Sequence, residues 1–290
     1  MTVGRALQPR PTGVSTSGDQ LSTAQLERIC HLIRSRTGIQ VSADRREFVQ
    51  GRIAKILRRR GIGSFREYVH LLERDATGDE LTQLTDAIST NYTAFFREPE
   101  HFDLLRARLL PPLFARFGCA PRIWCAAAAT GAEPYSLAME TLEAAEAHGY
   151  HGEVTLLATD ISTRALETAR AGVYPEKMLA GVSQDRRRRW FQRGVGANAG
   201  TVRVKAQLRQ AVQYAQFNLL ESTPDGGTWD LIFLRNVMIY FDRQTQADVV
   251  RRLGGALRPG GHLVIGHSEN LTGIPHGLQA LEQTLFRRPT

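Results

Sequence analysis

The chain has 290 residues, 42% of them hydrophobic and 23% charged, the composition of an ordinary globular protein with room for two modest domains. No apolar run approaches the ~20 residues that cross a bilayer and no secretory signal opens the chain, so membrane insertion is excluded and a cytoplasmic protein is expected. The net charge of +8 favours an acidic partner, and three cysteines without CxxC or CxxH spacing argue against a disulfide framework or a cysteine zinc site.

Residues 1–18, rich in Pro, Gly, Ser and Thr, read as a disordered tail. Helical periodicity follows over 19–88. "STAQLERICHLIRSRTG" ends on Gly38, and "SADRREFVQGRIAKILRRRG" starts after Ser42 and stops at Gly61. "SFREYVHLLER", capped by Ser64, and "DELTQLTDAIS" complete a small all-helical domain. In the second helix Arg45, Arg52, Lys55 and Arg59 share one face, with Val49, Ile53, Ile56 and Leu57 on a neighbouring one. Seven basic against two acidic residues from Asp44 to Arg60 suit docking on an acidic partner.

From residue 89 strands alternate with helices: "PRIWCAA", "EPYSLAMETLEAAEAHG", "VTLLATD", "STRALETARAG", "WDLIFLRNVMIYF", "RQTQADVVRRLGGALRPGG" and "HLVIGHSEN". This rhythm predicts an α/β domain over 89–290 with a doubly wound, mostly parallel sheet. The stretch 190–217 shows short segments broken by Gly and Asn and reads as an inserted antiparallel β-subdomain. "LFRR" near the C-terminus reads as an edge strand.

In doubly wound sheets the ligand lies at the first strand-to-helix turn, here Ala126 to Glu133. The small side chains let a ligand approach the backbone. A phosphate-binding loop would carry GxGxxG, whereas this one has only Gly131, and Glu133 at the helix mouth would repel phosphate. A cationic, phosphate-free ligand fits better, and S-adenosylmethionine carries an ammonium and a sulfonium. Asp160, closing the second strand, is placed to accept ribose hydroxyls, its alternative being a helix N-cap.

"NYTAFFREPEHF", "IWCAAAATGAEPYSLAM", "LLATDIS", "FNLLE", "WDLIFLRNVMIYFD" and "LRPGGHLVIGHSEN" together resemble the bacterial chemotaxis receptor methyltransferases, the CheR family, over about residues 20 to 286. The resemblance implies a class I S-adenosylmethionine-dependent methyltransferase fold and methylation of glutamate side chains on chemoreceptors. It also implies roles for residues. Asn91, Thr93 and Arg97 would meet the methionine end and the reaction centre, Glu133 the amino group and Asp160 the ribose. Asn218, Leu219, Arg235 and Asn236 would line the adenine and cofactor pocket. Where the family tends to read S-T-G-E-E-P-Y-S, this chain reads Ala129 to Ser136 with the first Glu replaced by Ala132 and the second kept as Glu133. Members with a full-length insertion hold a receptor's C-terminal tail there, and this insertion looks full length.

A glutamate is already ionised at neutral pH, so methyl transfer to it needs no general base and no metal. Arg97, Arg235 and Tyr240 suit the task of orienting that carboxylate. Blander readings stand beside these: Arg97 with Glu98 as a surface pair, Phe95 and Phe96 as core, and His267 as a hydrogen-bonded structural histidine. The expected partners are chemoreceptor cytoplasmic helices and a receptor C-terminal peptide, the expected state a monomer. Two rivals remain: a non-catalytic module that binds S-adenosylmethionine or a receptor, and a nucleic-acid methyltransferase. Against the latter, Arg235-Asn236-Val237-Met238 stands where amino-methylating enzymes of that class carry (Asp/Asn)-Pro-Pro-(Tyr/Phe).

Overall fold

Apolar residues spaced three and four apart build four helices before residue 89: α1 (Thr23–Thr37), α2 (Arg46–Arg60), α3 (Phe65–Glu73) and α4 (Asp79–Ile88). The structure, a computed structural model, describes residues 20–41, 45–117, 120–221, 223–224 and 228–290; the tail expected at 1–18, the Ser42 cap and Cys119 lie outside them. α2 buries Val49, Ile53, Ile56 and Leu57, and stops where Gly61 adopts the left-handed conformation (φ 68°). Ser64 caps α3 by accepting the Glu67 N–H.

The chain divides into two compact units, one running up to Leu32 and from Ser42 to Ile88, the other comprising Ile33–Val41 and Ser89–Thr290. The boundary expected at residue 88 therefore misses one segment. Ile33–Val41 goes with the α/β unit, where Arg34 pairs with Asp242 at 2.7 Å, the Asn218 amide donates to the Arg36 carbonyl and the Gln40 N–H to the Tyr240 carbonyl.

The second unit opens with α5 (Pro99–Leu104), which passes through a π turn at Leu105–Leu109 into α6 (Leu110–Phe117). Then come β1 (Ile123–Cys125), α7 (Ala132–Ala147), β2 (Leu156–Asp160), α8 (Thr163–Ala171), β3 (Val173–Pro175), α9 (Gln184–Trp190), β4 (Phe191–Arg193), β5 (Thr201–Val204) and α10 (Ala206–Gln210). β6 (Val212–Gln216), β7 (Trp229–Leu234), α11 (Arg243–Ala256), β8 (Leu257–Ile265), β9 (Gln279–Glu282) and β10 (Leu285–Arg287) complete it.

The main sheet has the order β6-β2-β1-β7-β8-β10-β9. Its first five strands are parallel and β10 runs antiparallel between β8 and β9. Because helices cover both faces, the central strands are mostly apolar, and all six residues of β7 are buried, Asp230 among them paired with Arg258 at 2.9 Å. Alternation then sorts their side chains into two cores. Ile123, Cys125, Leu231 and Phe233 enter one, Trp124, Ile232 and Leu234 the other. The sheet reverses winding at β1, with β2 on one side and β7 on the other, which opens a crevice at the carboxyl ends of these strands.

Two expectations need correction. The antiparallel sheet β3-β5-β4 begins at Val173 and ends at Val204, not at 190 and 217, because Val212–Gln216 pairs with β2 as a parallel strand of the main sheet. The "LFRR" strand is internal: β10 lies between two neighbours, and the exposed β9 forms the edge.

Candidate active site

Six small residues, Ala126 to Gly131, separate β1 from α7, and the chain holds them by main-chain bonds. Ala126 donates to the Phe233 carbonyl and Ala128 to that of Thr159, both at 2.8 Å, so the loop is tied to the strands on either side. Gly131 has φ 93°, and a Cβ there would stand 2.7 Å from the Ala169 Cβ and 2.8 Å from the Tyr174 hydroxyl, so both the conformation and the space demand glycine. Asp160 finishes the arrangement from β2. One oxygen accepts the N–H of Ala129, itself left-handed at φ 46°, and the other accepts the N–H of Ser162. The cap of α8 is Ser162, which accepts the Ala165 N–H, so Asp160 is not the helix cap.

A narrow cavity of about 40 Å³ runs along this loop, lined by Thr37, Ile39, Ala126, Asp160, Asn218, Leu219 and Phe241 among others. Asp160, Asn218 and Leu219 were expected there. Thr37 and Ile39 were not, and they arrive from the last residue of α1 and the stretch just after it. Both ends of the Asn218 amide are engaged: Nδ2 donates to the Arg36 carbonyl at 2.6 Å and Oδ1 accepts the Leu220 N–H at 3.0 Å.

Beside the loop lies a buried network of charges. Arg235, with no exposed side-chain surface, donates from Nη1 to Glu133 at 2.5 Å and from Nη2 to Glu98 at 2.9 Å and to the Arg97 carbonyl at 2.6 Å. Burial works against its charge, but Glu133 and Glu98 more than offset this and raise its pKa above the ordinary value. Glu133 also accepts a long contact from the Cys125 thiol. Glu98 is drawn upward by burial, yet donors from Asn236, Arg235 and the His267 N–H hold its pKa at about 2.

The geometry thus changes one expected role. Arg235 cannot reach a substrate carboxylate, since both terminal nitrogens are committed inside the protein; it positions Glu133, Glu98 and the Arg97 backbone. Asn236 likewise spends its side chain on Glu98 Oε1 at 3.1 Å. Arg97 is different. About a third of its side chain (32%) is exposed, stacked over the Tyr92 ring and paired only loosely with Glu98 at 3.9 Å. Asn91 reaches the Ser162 hydroxyl at 3.4 Å, and Thr93 is half-buried on the same stretch. Tyr240 is half-buried in the short 3-10 turn Met238–Tyr240 and packs against the core around Trp229. Phe95 is core, edge-on to Tyr174 and Phe191, whereas Phe96 and Glu98 hold positive φ angles of 54° and 58°.

Glu269, from "GHSEN", is the residue that the sequence reading passed over. It is buried and accepts four backbone N–H groups, from Gly266 (2.6 Å), Asn236 (2.9 Å), Val237 (2.9 Å) and Met238 (2.7 Å). Three successive amides converge on it because Asn236 turns left-handed (φ 57°), forming an anion nest. Gly266 leaves room for this clamp, since a Cβ there would lie 2.9 Å from Glu269 Oε2 and 3.0 Å from the Asn236 backbone nitrogen. A single carboxylate just after an apolar strand was the signal available. The four basic residues expected to dock, Arg45 just before α2 and Arg52, Lys55 and Arg59 within it, belong to the helical unit. Arg45, Lys55 and Arg59 are exposed and Arg52 half-buried; Arg45 and Arg52 flank the Phe48 ring, and among the described residues none of the four is ion-paired.

A parallel sheet with one reversed strand, a small-residue loop after its first strand and a carboxylate closing the second are the features of a class I S-adenosylmethionine-dependent methyltransferase. The family model described as CheR methyltransferase, SAM binding domain, matches residues 91–286, and that of the CheR methyltransferase all-alpha domain matches 24–89. The chain is 41% identical over 268 residues to the chemotaxis protein methyltransferase of Salmonella typhimurium, covering 92% of this chain and 90% of the relative. To chemotaxis protein methyltransferase 2 of Pseudomonas aeruginosa it is 42% identical over 251 residues, covering 86% and 88%. The chain belongs to the CheR methyltransferase family, and S-adenosylmethionine is its methyl donor. No helix among the described residues is long and apolar enough to cross a membrane.

Proposed function

We propose that the protein methylates glutamate side chains of chemoreceptors, giving glutamyl methyl esters for adaptation in chemotaxis-type signalling. The donor supplies a methyl group on a sulfonium: the sulfur–carbon bond breaks as a carbon–oxygen bond forms, sulfur keeps the electron pair and no proton moves. The residues fit such a donor. The Ala126–Gly131 loop leaves space against its backbone, Asp160 is fixed at the rim to meet ribose hydroxyls, and Glu133 brings negative charge to the amino end.

The chain's own task is alignment and exclusion of water, since the substrate carboxylate is ionised without help. The carrying observation is Arg97, whose side chain is about a third exposed and only loosely paired with Glu98 beside the buried charges. It orients the incoming carboxylate, with Tyr240 as second donor, while Asn91 and Thr93 border the donor's methionine end. A partial grip suits the reaction, because a tight bidentate clamp would stabilise the ground state.

Docking of an acidic receptor helix is assigned to Arg45, Arg52, Lys55 and Arg59. A receptor's C-terminal peptide is read as adding a strand to the edge of β4 in the small sheet, where main-chain bonds supply affinity. One chain supplies every residue of this site, in keeping with a monomer.

The test is transfer from methyl-labelled donor to host receptors, scored as label released as methanol by mild alkali. Esters release it; label that resists alkali would overturn the assignment. In single turnover at saturating donor, Arg97→Ala should lose about two to three decades in rate, the usual effect of removing one positioned donor, and Tyr240→Phe less.

A further inference from the structure

We propose that Glu98, His101 and His267 form a binding site for one divalent transition-metal ion of zinc's class, beside the cofactor site and separate from methyl transfer. Glu98 precedes α5, His101 lies one turn further on, and His267 follows β8. Each offers one ligand atom, and the three atoms lie within 4.8 Å of one another. Bonds of about 2.0–2.2 Å to a shared ion bring such atoms to roughly 3–4 Å apart, so small side-chain rotations close the site.

His101 supplies the independent observation. The residue is 2% exposed, and its Nδ1 has no hydrogen-bond partner although it sits 3.4 Å from Glu98 Oε2. Nε2 lies 2.9 Å from the Thr284 hydroxyl. With Nε2–H donating to Thr284, the Nδ1 lone pair faces a carboxylate, two electron-rich atoms with nothing positive between them. A metal-ligating histidine adopts this tautomer, with the proton on the far nitrogen. A cation resolves the opposition.

His267 opens the site to solvent. Its ring is exposed and edge-on to His101 at 4.5 Å, and among the described residues no ring hydrogen bond ties it down, contrary to the structural role expected from its strand-end position. Two imidazoles and one carboxylate select Zn²⁺, Co²⁺, Ni²⁺ or Cu²⁺ over Mg²⁺ or Ca²⁺, and leave coordination positions for water. The Arg235 guanidinium, 2.9 Å from Glu98 Oε2, opposes a further positive charge and limits the affinity.

The experiment is titration of the full chain with Co²⁺, read by its visible absorption, and with Zn²⁺, read by calorimetry. The expected result is one equivalent of each, Zn²⁺ displacing Co²⁺, Mg²⁺ giving no signal, and affinity at least roughly tenfold weaker in His267→Ala. That variant alters an exposed ring and should melt like the wild type and bind S-adenosylmethionine as tightly. Absence of stoichiometric binding, or equal binding by His267→Ala, would overturn the site and move any metal to the remaining surface histidines.

Discussion

Charged groups are handled in opposite ways at the ends of β7 and β8 and along α2. In the first region every charge is answered from within: Arg235 by Glu133 and Glu98, Glu269 by four backbone amides. Burial is tolerated there because each charge has a geometric partner. Along α2, Arg60 pairs with Glu80, but Arg52, Lys55 and Arg59 have no ion pair among the described residues and keep their charge for solvent, Arg52 merely braced on Phe48. Paired and buried charge holds a site in one shape; exposed charge remains available to an acidic surface arriving from outside. Substitutions should separate the two roles.

The largest effect is expected from Arg235→Ala. It leaves Glu133 and Glu98 without their cation, and breaking a buried pair costs about 3–5 kcal/mol. A denaturant melt should show that loss together with weakened S-adenosylmethionine binding in calorimetry. A variant that melts like the wild type but turns over slowly would return Arg235 to a direct role in transfer.

Acid should act through Glu98. Its folded pKa of about 2 lies below the usual 4.5, so its contribution is fully present above about pH 4.5 and is lost as pH falls toward 2. The full effect is up to ~3 kcal/mol. Stability measured across this window should fall more steeply for the wild type than for Glu98→Gln; parallel curves would show that the carboxylate is not held as described.

Glu269→Gln should cost about 1–3 kcal/mol, since the amide turns a donor toward backbone N–H groups that need an acceptor. Heteronuclear NMR would show the change concentrated at Asn236, Val237 and Met238. Unshifted amides there would break the clamp.

The smallest effect on stability belongs to α2. Arg52→Glu with Arg59→Glu should move the melt by less than about 0.5 kcal/mol per site. Receptor methylation should nevertheless fall several-fold, with a weaker dependence on salt than the wild type. Wild-type rates at low salt would remove α2 from docking.

Much of this was legible in the chain. Strand–helix alternation predicts the parallel sheet, and the apolar face of α2 is the one the spacing marks. Gly131 and Asp160 stand where a strand-end argument puts them. The β-subdomain was misplaced because Val212–Gln216 has no local feature that distinguishes a parallel edge strand from a hairpin arm. Arg235 was read as a substrate-orienting group because a basic residue at a strand end looks the same whether it faces a ligand or two carboxylates.

Periodicity, the small-residue loop and the turn glycines are local, and the sequence by itself determines them: each depends on residues within a few positions of one another. The pairing of Glu98 and Glu133 with Arg235 is not local. It joins residues up to 137 positions apart, brought together because β1, β7 and β8 lie side by side with their carboxyl ends aligned. Which carboxylate a buried guanidinium meets depends on that alignment, and so does whether a histidine's lone pair faces carbon or an anion. Tertiary structure alone decides these, because desolvation forces each buried charge to take whichever partner the fold has placed within reach.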